Sequence, residues 1–525
     1  MQAKPPQAGR TGLPLLLMLT VAACGEPDAA EGPRGAAPTA LRSADAVAGA
    51  VSTITPDDVL ERVTFLASDA LRGRDTPSPG LDTAAAYIAR EFARVGLEPG
   101  GEDGAYEQRF PYPLVERAGA ARLVAASGEA LRAGVDFASV PGAPASGDGV
   151  EAVLIDVDGN PDAFAETEGR VAVLPLPGDP AERAWRIART SAIRQATEAG
   201  ARAAVLLLGP AVGPAGIERL DESGAGASRI LGGLEARIPA FYVAHGAAGR
   251  LLPGADPTAF AEEAGAGDAA PRRAGTLSWA APARRVDDAT GPNVAGILRG
   301  SDPELAGTYV VYSAHMDHVG VGEPDESGDS IYNGADDDAS GTSALLEIAE
   351  AFAALATPPA RSVLFVAVSG EEKGLLGSRW FSDHPTVPAD AMVANVNIDM
   401  IARNAPDSIV VIGQEYSSLG PLVRDVASGY PELGLTVSDD LWPEQRFFFR
   451  SDHFNFARRE IPALFFFAGV HEDYHRPSDE VELIDEDKVA RVARLAFLTG
   501  LAVADAAEPP RWEPEGLEEV RELTR

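Results

Sequence analysis

The chain has almost no cysteine: Cys24 is the single one among 525 residues, so no disulfide can form within it. Basic residues are also scarce, since lysine and arginine number 44 against 79 acidic residues and the formal net charge is −35. This balance argues against nucleic acid or an anionic membrane surface as a partner. The contents of 23% charged and 45% hydrophobic residues are nevertheless those of a folded protein with a large core.

The N-terminal segment lacks a hydrophobic run long enough to span a bilayer. The run from Leu13 to Ala23 has the length of the apolar part of a secretion signal. The letters "VAAC" that end it resemble the lipidation motif of bacterial lipoproteins, with Cys24 as the residue that carries the lipid. We therefore expect a signal peptide over residues 1–23 and an exported bacterial lipoprotein, periplasmic or at the cell surface, that contacts the membrane only through this anchor. The alternative is a plain signal peptide with an incidental cysteine.

Composition divides the rest of the chain. Residues 24–55, rich in Ala, Gly and Pro, predict a flexible linker. Two amphipathic helices and a strand over 56–112 predict the first part of a main domain. Short apolar runs between Gly, Pro and Ala, with one clear helix, predict a β-rich inserted domain over 113–285. Alternating strands and helices over 286–507 predict an α/β fold with a mostly parallel central sheet flanked by helices, and 508–525 is left as a C-terminal tail.

Polar residues follow the predicted strands of this sheet. In open α/β sheets, functional groups collect in the loops beyond the carboxyl ends of the strands. We therefore expect residues at these positions to lie close together. Four strand ends supply them, in chain order: His315, Asp317 and His318; Glu371 and Glu372; Asp399; and His471, Tyr474 and His475.

The stretch "GADDDASG", residues 334–341, places three adjacent aspartates between the first of these strands and its helix. Clustered carboxylates repel one another and resist ionisation unless a counter-charge is present. A divalent metal supplies that charge, and carboxylate and imidazole ligands suit zinc, with manganese or cobalt as alternatives. If one aspartate is shared by two ions, the result is a two-metal site of the kind that hydrolases use. Its neighbours would face water, cap the following helix or support the ligands.

Several motifs, taken in order, resemble those of the co-catalytic zinc aminopeptidase family: "HMD", "NGADDDASG", "SGEEKGLLGS", "NIDM", "RSDHFNF" and "YHRPSDE". That family includes bacterial leucyl aminopeptidases, aminopeptidase Y, glutamate carboxypeptidase and, more distantly, glutaminyl cyclase. The resemblance covers residues 56–507 and implies the zinc-exopeptidase fold, of phosphorylase/hydrolase-like type. Residues 113–285 resemble the protease-associated domain that many members carry as an insertion.

The resemblance implies two zinc ions and five metal ligands. His315 and Asp399 would bind one ion, Glu372 and His475 would bind the other, and Asp337 would bridge them.

Three further roles follow from the same resemblance. Glu371 would be the general base that generates a metal-bridging hydroxide, and Asp317 would orient the ring of His315. Tyr474 would polarise the scissile carbonyl. In other members this last role falls to a tyrosine near the "SDH" motif, where this chain has the phenylalanines 447–449 instead.

We expect a zinc-dependent aminopeptidase that hydrolyses N-terminal residues of peptides. Alternatives within the family are a carboxypeptidase and a glutaminyl cyclase, which usually uses a single zinc. An alternative of another class is a metal-free binding or receptor protein, which the five filled ligand positions disfavour. Peptides are the expected partners, and the sequence leaves the oligomeric state open.

Overall fold

The structure, a computed structural model, describes residues 42–140, 145–156, 161–233, 238–265 and 269–524. The predicted signal peptide, Cys24 and the first part of the predicted linker lie outside the described residues. In chain order, the helices are α1 (Ala44–Val51), α2 (Pro56–Leu66), α3 (Pro79–Arg94), α4 (Arg183–Glu198), α5 (Pro214–Ala225), α6 (His245–Leu251), α7 (Pro257–Gly265), α8 (Gly341–Ala353), α9 (Leu376–Asp383), α10 (Leu419–Gly429), α11 (His453–Ala457), α12 (Glu486–Asp505) and α13 (Pro514–Thr524).

The strands, also in chain order, are β1 (Glu98–Pro99), β2 (Glu107–Pro111), β3 (Leu114–Arg117), β4 (Arg122–Val124), β5 (Phe137–Val140), β6 (Ala145–Leu154), β7 (Val171–Leu176), β8 (Ala203–Leu208), β9 (Ser228–Arg229), β10 (Ala240–Val243), β11 (Arg272–Ala281), β12 (Ala283–Arg285), β13 (Thr290–Leu298), β14 (Tyr309–His315), β15 (Gly320–Val321), β16 (Ile331–Tyr332), β17 (Ser362–Val368), β18 (Met392–Ile398), β19 (Ser408–Ile412), β20 (Thr436–Ser438) and β21 (Ala463–Phe467).

The main sheet has nine strands in the order β1-β13-β17-β14-β18-β21-β19-β20, and β2 also pairs with β13. Its four central strands, β17, β14, β18 and β21, are parallel, whereas β13 joins β17 and β19 joins β21 in antiparallel pairs. Strands β14 and β17 are buried along their whole length, as parallel strands covered by helices on both faces require. The predicted α/β fold is therefore confirmed, with parallel pairing concentrated at the centre of the sheet.

Helices cover both faces of this sheet. On one face, apolar side chains of α1, α2, α3, α8, α10 and α12 join those of the strands in one large cluster. On the other face, Phe381 of α9 and Phe456 of α11 pack against the strands. No helix of the described residues combines the length and the apolarity needed to cross a bilayer.

The linker prediction is wrong over residues 42–55. Ser43 caps α1 by accepting a hydrogen bond from the amide of Ala46, and Val47 is buried in the large apolar cluster. Arg42 forms an ion pair with Asp505 at 2.6 Å. The alanines that suggested a flexible tether are also strong helix formers, and the buried face of α1 decides between the two structures.

The C-terminal tail is also folded. Trp512 donates a hydrogen bond from its indole nitrogen to the carbonyl oxygen of Glu460 at 2.7 Å, and Val520 of α13 is buried. The helix therefore packs against the main domain.

The insertion forms its own seven-stranded sheet in the order β4-β11-β6-β7-β8-β10-β5. Its two faces carry separate apolar clusters, and the described residues of the insertion form the helices α4 to α7, where the sequence predicted one clear helix. At its base β3 pairs with β12, and β2 pairs with β13 so that Pro111 lies opposite Thr290. The chain thus leaves and re-enters the main sheet at neighbouring positions.

Candidate metal centre

The predicted site residues meet at the carboxyl ends of the central strands. His315 ends β14, Asp399 directly follows β18, and the loop with Glu371 and Glu372 follows β17. The loop after β21 brings His475, whose backbone φ of 56° is in the left-handed region that residues with a Cβ rarely adopt. Separate segments of the chain therefore converge on one edge of one sheet.

One group of potential ligands is centred on His315. Its Nε2 atom lies 3.2 Å from Oδ1 of Asp337 and 3.4 Å from Oδ1 of Asp399. All three residues are buried. Because one ligand atom from each residue lies within 4.8 Å of the other two, all three can face one small cation.

A second group uses the other oxygen of Asp337. The Nε2 atom of His475 lies 3.1 Å from Oδ2 of Asp337 and 3.1 Å from Oε2 of Glu372. The Nδ1 atom of His318 lies 2.8 Å from Oε1 of Glu372 and 3.7 Å from Oδ2 of Asp337. Asp337 therefore lies between the two groups, each of its oxygens facing one of them.

His318 is a member of this group to which the sequence analysis assigned no role. It is fully buried, and neither ring nitrogen has a hydrogen-bond partner among the described residues, although Nδ1 is close to Glu372. The signal available was its position as the last residue of "HMDH", where a buried strand gives way to a loop.

The donor set fits a zinc site. Imidazole nitrogens and carboxylate oxygens are ligands that zinc prefers, and Glu372 Oε1 and the ring nitrogens of His318 are buried close together without hydrogen bonds. Burial alone would lower the pKa of His475, but hydrogen bonds with Asp337 and Glu372 raise that pKa to about 10. The carboxylates thus require positive charge at this point, which a divalent cation supplies more fully than a proton.

The two outer aspartates of the triplet are fully buried, so neither faces water as one expectation had it. The carboxylate of Asp338 accepts hydrogen bonds from the backbone amides of His315, Gly341 and Met400. It therefore caps the start of α8 and fixes the backbone on either side of the metal ligands. Asp336 accepts from the amide of Ala402 at 2.7 Å.

The glycines that flank the triplet are required by close approach. Gly334 has a φ of +59°, and a Cβ there would lie 2.1 Å from the carbonyl oxygen of Asp337. A Cβ at Gly341 would lie 2.3 Å from Oδ1 of Asp338. Asp479, from the "YHRPSDE" motif, accepts hydrogen bonds from the amides of Asp336 and Asp337, at 3.1 Å each. Asp479 therefore fixes the backbone at the start of the triplet, and the hydrogen bond from the Gly341 amide to Asp338 fixes its end.

Arg74 links the segment before the insertion to this site. Its guanidinium is buried and donates to the carbonyl oxygens of Leu66, Met316, Asn333 and Gly334. Burial lowers its pKa, and the charges of nearby aspartates oppose that shift. Residues 56–112 thus contribute to the support of the metal centre, a role that the sequence did not reveal.

Asp317 is fully buried beside the His315 ring, but its carboxylate does not hydrogen-bond that ring. The ring Nδ1 lies 3.2 Å from the carbonyl oxygen of Asp317 and 3.8 Å from its Oδ1. The carboxylate instead accepts hydrogen bonds from the hydroxyl of Thr76 at 3.0 Å and the amide of Glu371 at 3.2 Å. Burial raises its pKa to about 6. The carbonyl orients the imidazole, and the carboxylate holds the Glu371 loop.

Burial raises the pKa of the Glu371 carboxyl well above its usual value, and the charge of Glu372 acts in the same direction.

Asp399 accepts a hydrogen bond from the hydroxyl of Ser451 at 2.7 Å, and Ser451 in turn accepts one from the side-chain amide of Asn397 at 2.9 Å. This buried chain fixes the orientation of the Asp399 carboxylate.

A small pocket of about 40 Å³ opens beside the metal centre. Tyr474 lines it, and its ring stacks on His475 with centroids 3.9 Å apart. Arg450 also lines it, with its guanidinium over the ring of Phe447 at 4.6 Å, and no described carboxylate pairs with this arginine. The apolar wall consists of Met400, Phe447, Phe465, Phe467 and Val470.

Comparison with known proteins gives matches to metallopeptidases. Residues 293–499 match the sequence model of Peptidase family M28. A probable zinc metalloprotease of Pyricularia oryzae is 26% identical over 262 residues, 42% of this chain and 50% of that protein. Aminopeptidase YwaD of Bacillus subtilis is 26% identical over 220 residues, 39% of this chain and 43% of its own length. The chain thus spans half the length, or less, of these curated relatives.

Among solved structures, the aminopeptidase from Aneurinibacillus sp. strain AM-1 aligns with 88% of this chain and 96% of its own. The sequence identity is 18% and the TM-score is 0.44.

Proposed function

We propose that the protein is a zinc-dependent exopeptidase that removes N-terminal residues from peptides, because residues 293–499 match the sequence model of Peptidase family M28. The observation that carries this proposal is the position of Asp337, whose two carboxylate oxygens face two separate groups of potential ligands. Such an arrangement suits a pair of metal ions that share one carboxylate.

Two zinc ions are proposed at this site. His315 and Asp399 would hold one, Glu372 and His475 would hold the other, and Asp337 would contact both. When bound, zinc supplies a Lewis acid that makes a water molecule acidic near neutral pH and polarises a carbonyl group. Every other part of the chemistry falls to side chains of this chain.

Glu371 is proposed to move the proton. Its raised pKa, caused mainly by burial, favours a carboxylate that can take a proton from water and later release it to the leaving amine. Asp317 keeps the Glu371 loop in place through its hydrogen bond to the Glu371 amide. Tyr474, at the rim of the pocket, is proposed to donate a hydrogen bond to the developing oxyanion.

The apolar wall of the small pocket supports a preference for apolar N-terminal residues. The phenylalanine, methionine and valine side chains of this wall offer no partner to a charged substrate side chain, and the pocket volume of about 40 Å³ limits the size of what enters. Burying an apolar side chain there would hold the scissile bond beside the ligands.

A second candidate function is carboxypeptidase activity, and Arg450 is the observation that favours it. Its guanidinium lines the pocket without a described carboxylate partner, so it could bind the terminal carboxylate of a peptide. The two functions require opposite ends of the substrate to be free.

A substrate screen distinguishes aminopeptidase from carboxypeptidase activity. Purified protein loaded with zinc is incubated with leucine p-nitroanilide, with its N-acetylated form and with an N-blocked dipeptide that has a free carboxylate. We expect hydrolysis only of the substrate with a free α-amine. Cleavage of the N-blocked dipeptide alone would instead establish the carboxypeptidase, and no cleavage of any peptide by fully zinc-loaded protein would refute both.

The variant Glu371→Gln tests the proton transfer. It should bind as much zinc as the wild type, because Glu371 is not a proposed ligand, and lose roughly 10²- to 10⁴-fold in kcat, the usual size of general acid–base catalysis. Elemental analysis and steady-state kinetics measure the two quantities. Turnover near the wild-type level would remove Glu371 from the mechanism.

Export and anchoring remain part of the proposal. The apolar run before Cys24 and the "VAAC" motif support a lipoprotein tethered outside the cytoplasm, and the inserted domain is proposed to be a protease-associated domain. Cells supplied with radioactive palmitate should label the wild type, and Cys24→Ser should be unlabelled and released in soluble form. A wild type that takes up no label would overturn the anchor.

A further inference from the structure

A second and larger cavity, about 380 Å³ in volume, lies where the insertion meets the main domain. We call it the junction cleft; α4, α5, β5 and β10 of the insertion line one side, and α9 of the main domain lines the other. It shares no lining residue with the pocket at the metal centre. Its volume is within the range of sites that bind small molecules.

The junction cleft combines an apolar wall with arginine side chains. Ile193 and Leu220 of the insertion and Trp380 of α9 provide apolar surface. The arginines in its lining are Arg189 and Arg194 of α4 and Arg379 of α9. In a chain whose formal net charge is −35, three arginines around one cavity form a local reversal of charge.

The carboxylates nearby do not neutralise this charge. Arg194 pairs with Glu198 at 3.0 Å, but Nε of Arg379 is 3.8 Å from Asp383. Asp383 also accepts hydrogen bonds from Arg458 and Arg459, so one carboxylate serves three guanidinium groups. An ion pair shared in this way leaves Arg379 weakly compensated.

Arg189 has no ion-pair partner within the described part of the chain. Its polar contacts are the hydroxyls of Tyr242 and Thr190, both at the long distance of 3.4 Å.

Burial lowers the pKa of Arg379, and the positive charge of Arg194 across the cleft lowers it further. Guanidinium groups from two domains thus face one cavity that contains too few anions.

We propose that the junction cleft binds a small molecule with a free carboxylate and an apolar body, such as an apolar amino acid or the C-terminal residues of a short peptide. Arg189 and Arg379 would hold the carboxylate, because the planar guanidinium donates two parallel hydrogen bonds to it. Ile193 and Trp380 would contact the apolar part.

One helix connects the junction cleft with the candidate metal centre. α9 begins at Leu376, four residues after Glu372, and its middle supplies Arg379 and Trp380 to the cleft. The ligand would therefore rest on the helix that continues from the loop with the two glutamates. Its binding does not depend on the proposed peptidase activity.

The test is isothermal titration of the zinc-loaded full chain with N-acetyl-leucine, whose blocked amine keeps it from acting as an aminopeptidase substrate. N-acetyl-leucinamide, which lacks the carboxylate, is the matched neutral probe, and N-acetyl-leucyl-leucine distinguishes a peptide end from a single amino acid. We expect N-acetyl-leucine or the peptide to bind at one site per chain and the amide to bind at least tenfold more weakly. Binding of neither acid at millimolar concentration, or equal binding of the amide, would overturn the proposal.

Variants assign the binding to the junction cleft. Arg189→Gln should weaken binding roughly 10- to 100-fold, the usual effect of losing a charged hydrogen bond. Arg186→Gln, an exposed arginine outside the cleft on the same helix, is the control and should bind as the wild type does. Ile193→Trp fills the cleft without changing its charge and should also abolish binding. Binding that survives both cleft variants but disappears on chelation of zinc would place the ligand at the metal centre and refute the proposal.

Discussion

The buried histidine His318 contacts the carboxylate of Glu372, as His475 does. Because its Nδ1 atom is 2.8 Å from Glu372 without making a hydrogen bond there, it is placed to support metal binding at that side of the site. His318→Leu should weaken zinc binding about 10- to 100-fold, the range found when a residue that supports a metal site is lost. Titration with a chromogenic chelator and elemental analysis measure this. The control His245→Leu removes an exposed histidine of the insertion and should bind zinc normally.

His453 is a buried histidine that is not one of the candidate ligands. Its ring stacks on Phe465 with centroids 4.8 Å apart, and burial lowers its pKa to about 3. In the unfolded chain the ring takes up a proton near pH 6.5, whereas in the folded chain it stays neutral, so stability falls as the pH decreases from about 6.5 towards 3.

The variant His453→Phe should remove this loss. Relative to the variant, the wild type should lose up to about 1.4 kcal/mol of unfolding free energy per pH unit below pH 6.5. Urea unfolding of both proteins at pH 7.5, 6.0 and 5.0 measures the difference, and any effect of acid on zinc binding is common to both. Equal pH dependence in the two proteins would mean that His453 accepts a proton inside the fold.

The residues that meet at the candidate metal centre could be predicted from sequence because residue type and position coincide. Each candidate is a histidine or acid that directly follows a buried strand or lies in a loop beside one. Asp479, Ser451 and Arg74 could not be predicted in this way, since their effect depends on which backbone amide, carboxylate or carbonyl group they reach in a distant segment. The sequence assigned Asp317 the orientation of the His315 ring without naming an atom, and in the structure it is the carbonyl oxygen of Asp317, not its carboxylate, that lies within hydrogen-bond distance of the ring.

At the level of secondary structure, α1 depends on one buried face. Its length of eight residues is too short for stability on its own, so Val47 and Ala50 must pack against the main domain. Val47→Asp should reduce the free energy of unfolding by about 1–3 kcal/mol, the cost of burying a polar group without a partner, or release the helix from the surface. Ala48→Asp, at an exposed position of the same helix, is the control.

Guanidinium unfolding and limited proteolysis within residues 42–55 measure the effect. If the valine variant is as stable and as resistant to protease as the alanine control, α1 contributes nothing to the fold.

Strands β14, β17 and β21 of the main sheet were predictable because short continuous apolar runs, here of four to six residues, are typical of buried strands when turn residues bound them. The helices α5, α6 and α7 of the insertion could not be predicted from the sequence. They are rich in alanine and glycine, so their apolar periodicity is weak, and packing against the second sheet stabilises them instead.

Across the whole molecule, metal and fold should be coupled. A cation that binds only the folded chain stabilises it by about 4 kcal/mol when its concentration is a thousand times Kd. With an unfolding entropy of about 2.1 cal/mol/K per residue, that corresponds to a rise in Tm of roughly 4–8 °C for a chain of this size. Removal of zinc with a chelator should therefore lower Tm, and added zinc should restore it.

Differential scanning calorimetry with and without chelator measures this change. Glu371→Gln should show the same decrease, since it keeps all proposed ligands. An unchanged Tm in the chelated wild type would show that the buried carboxylates are stable without a cation.

The pairing of β2 with β13 has a consequence for how the chain is assembled. Pro111 lies opposite Thr290, and the amide of Tyr112 donates a hydrogen bond to the carbonyl oxygen of Ala289 at 2.9 Å. The insertion therefore occupies the place of the turn that would join the antiparallel strands β2 and β13 in a β-hairpin. Joining the two strands with a two-residue turn would make that place an ordinary hairpin connection and leave the ladder below it intact. Evolution could gain or lose the insertion at this one point, and a shortened gene could encode the metal-binding half as a single uninterrupted domain.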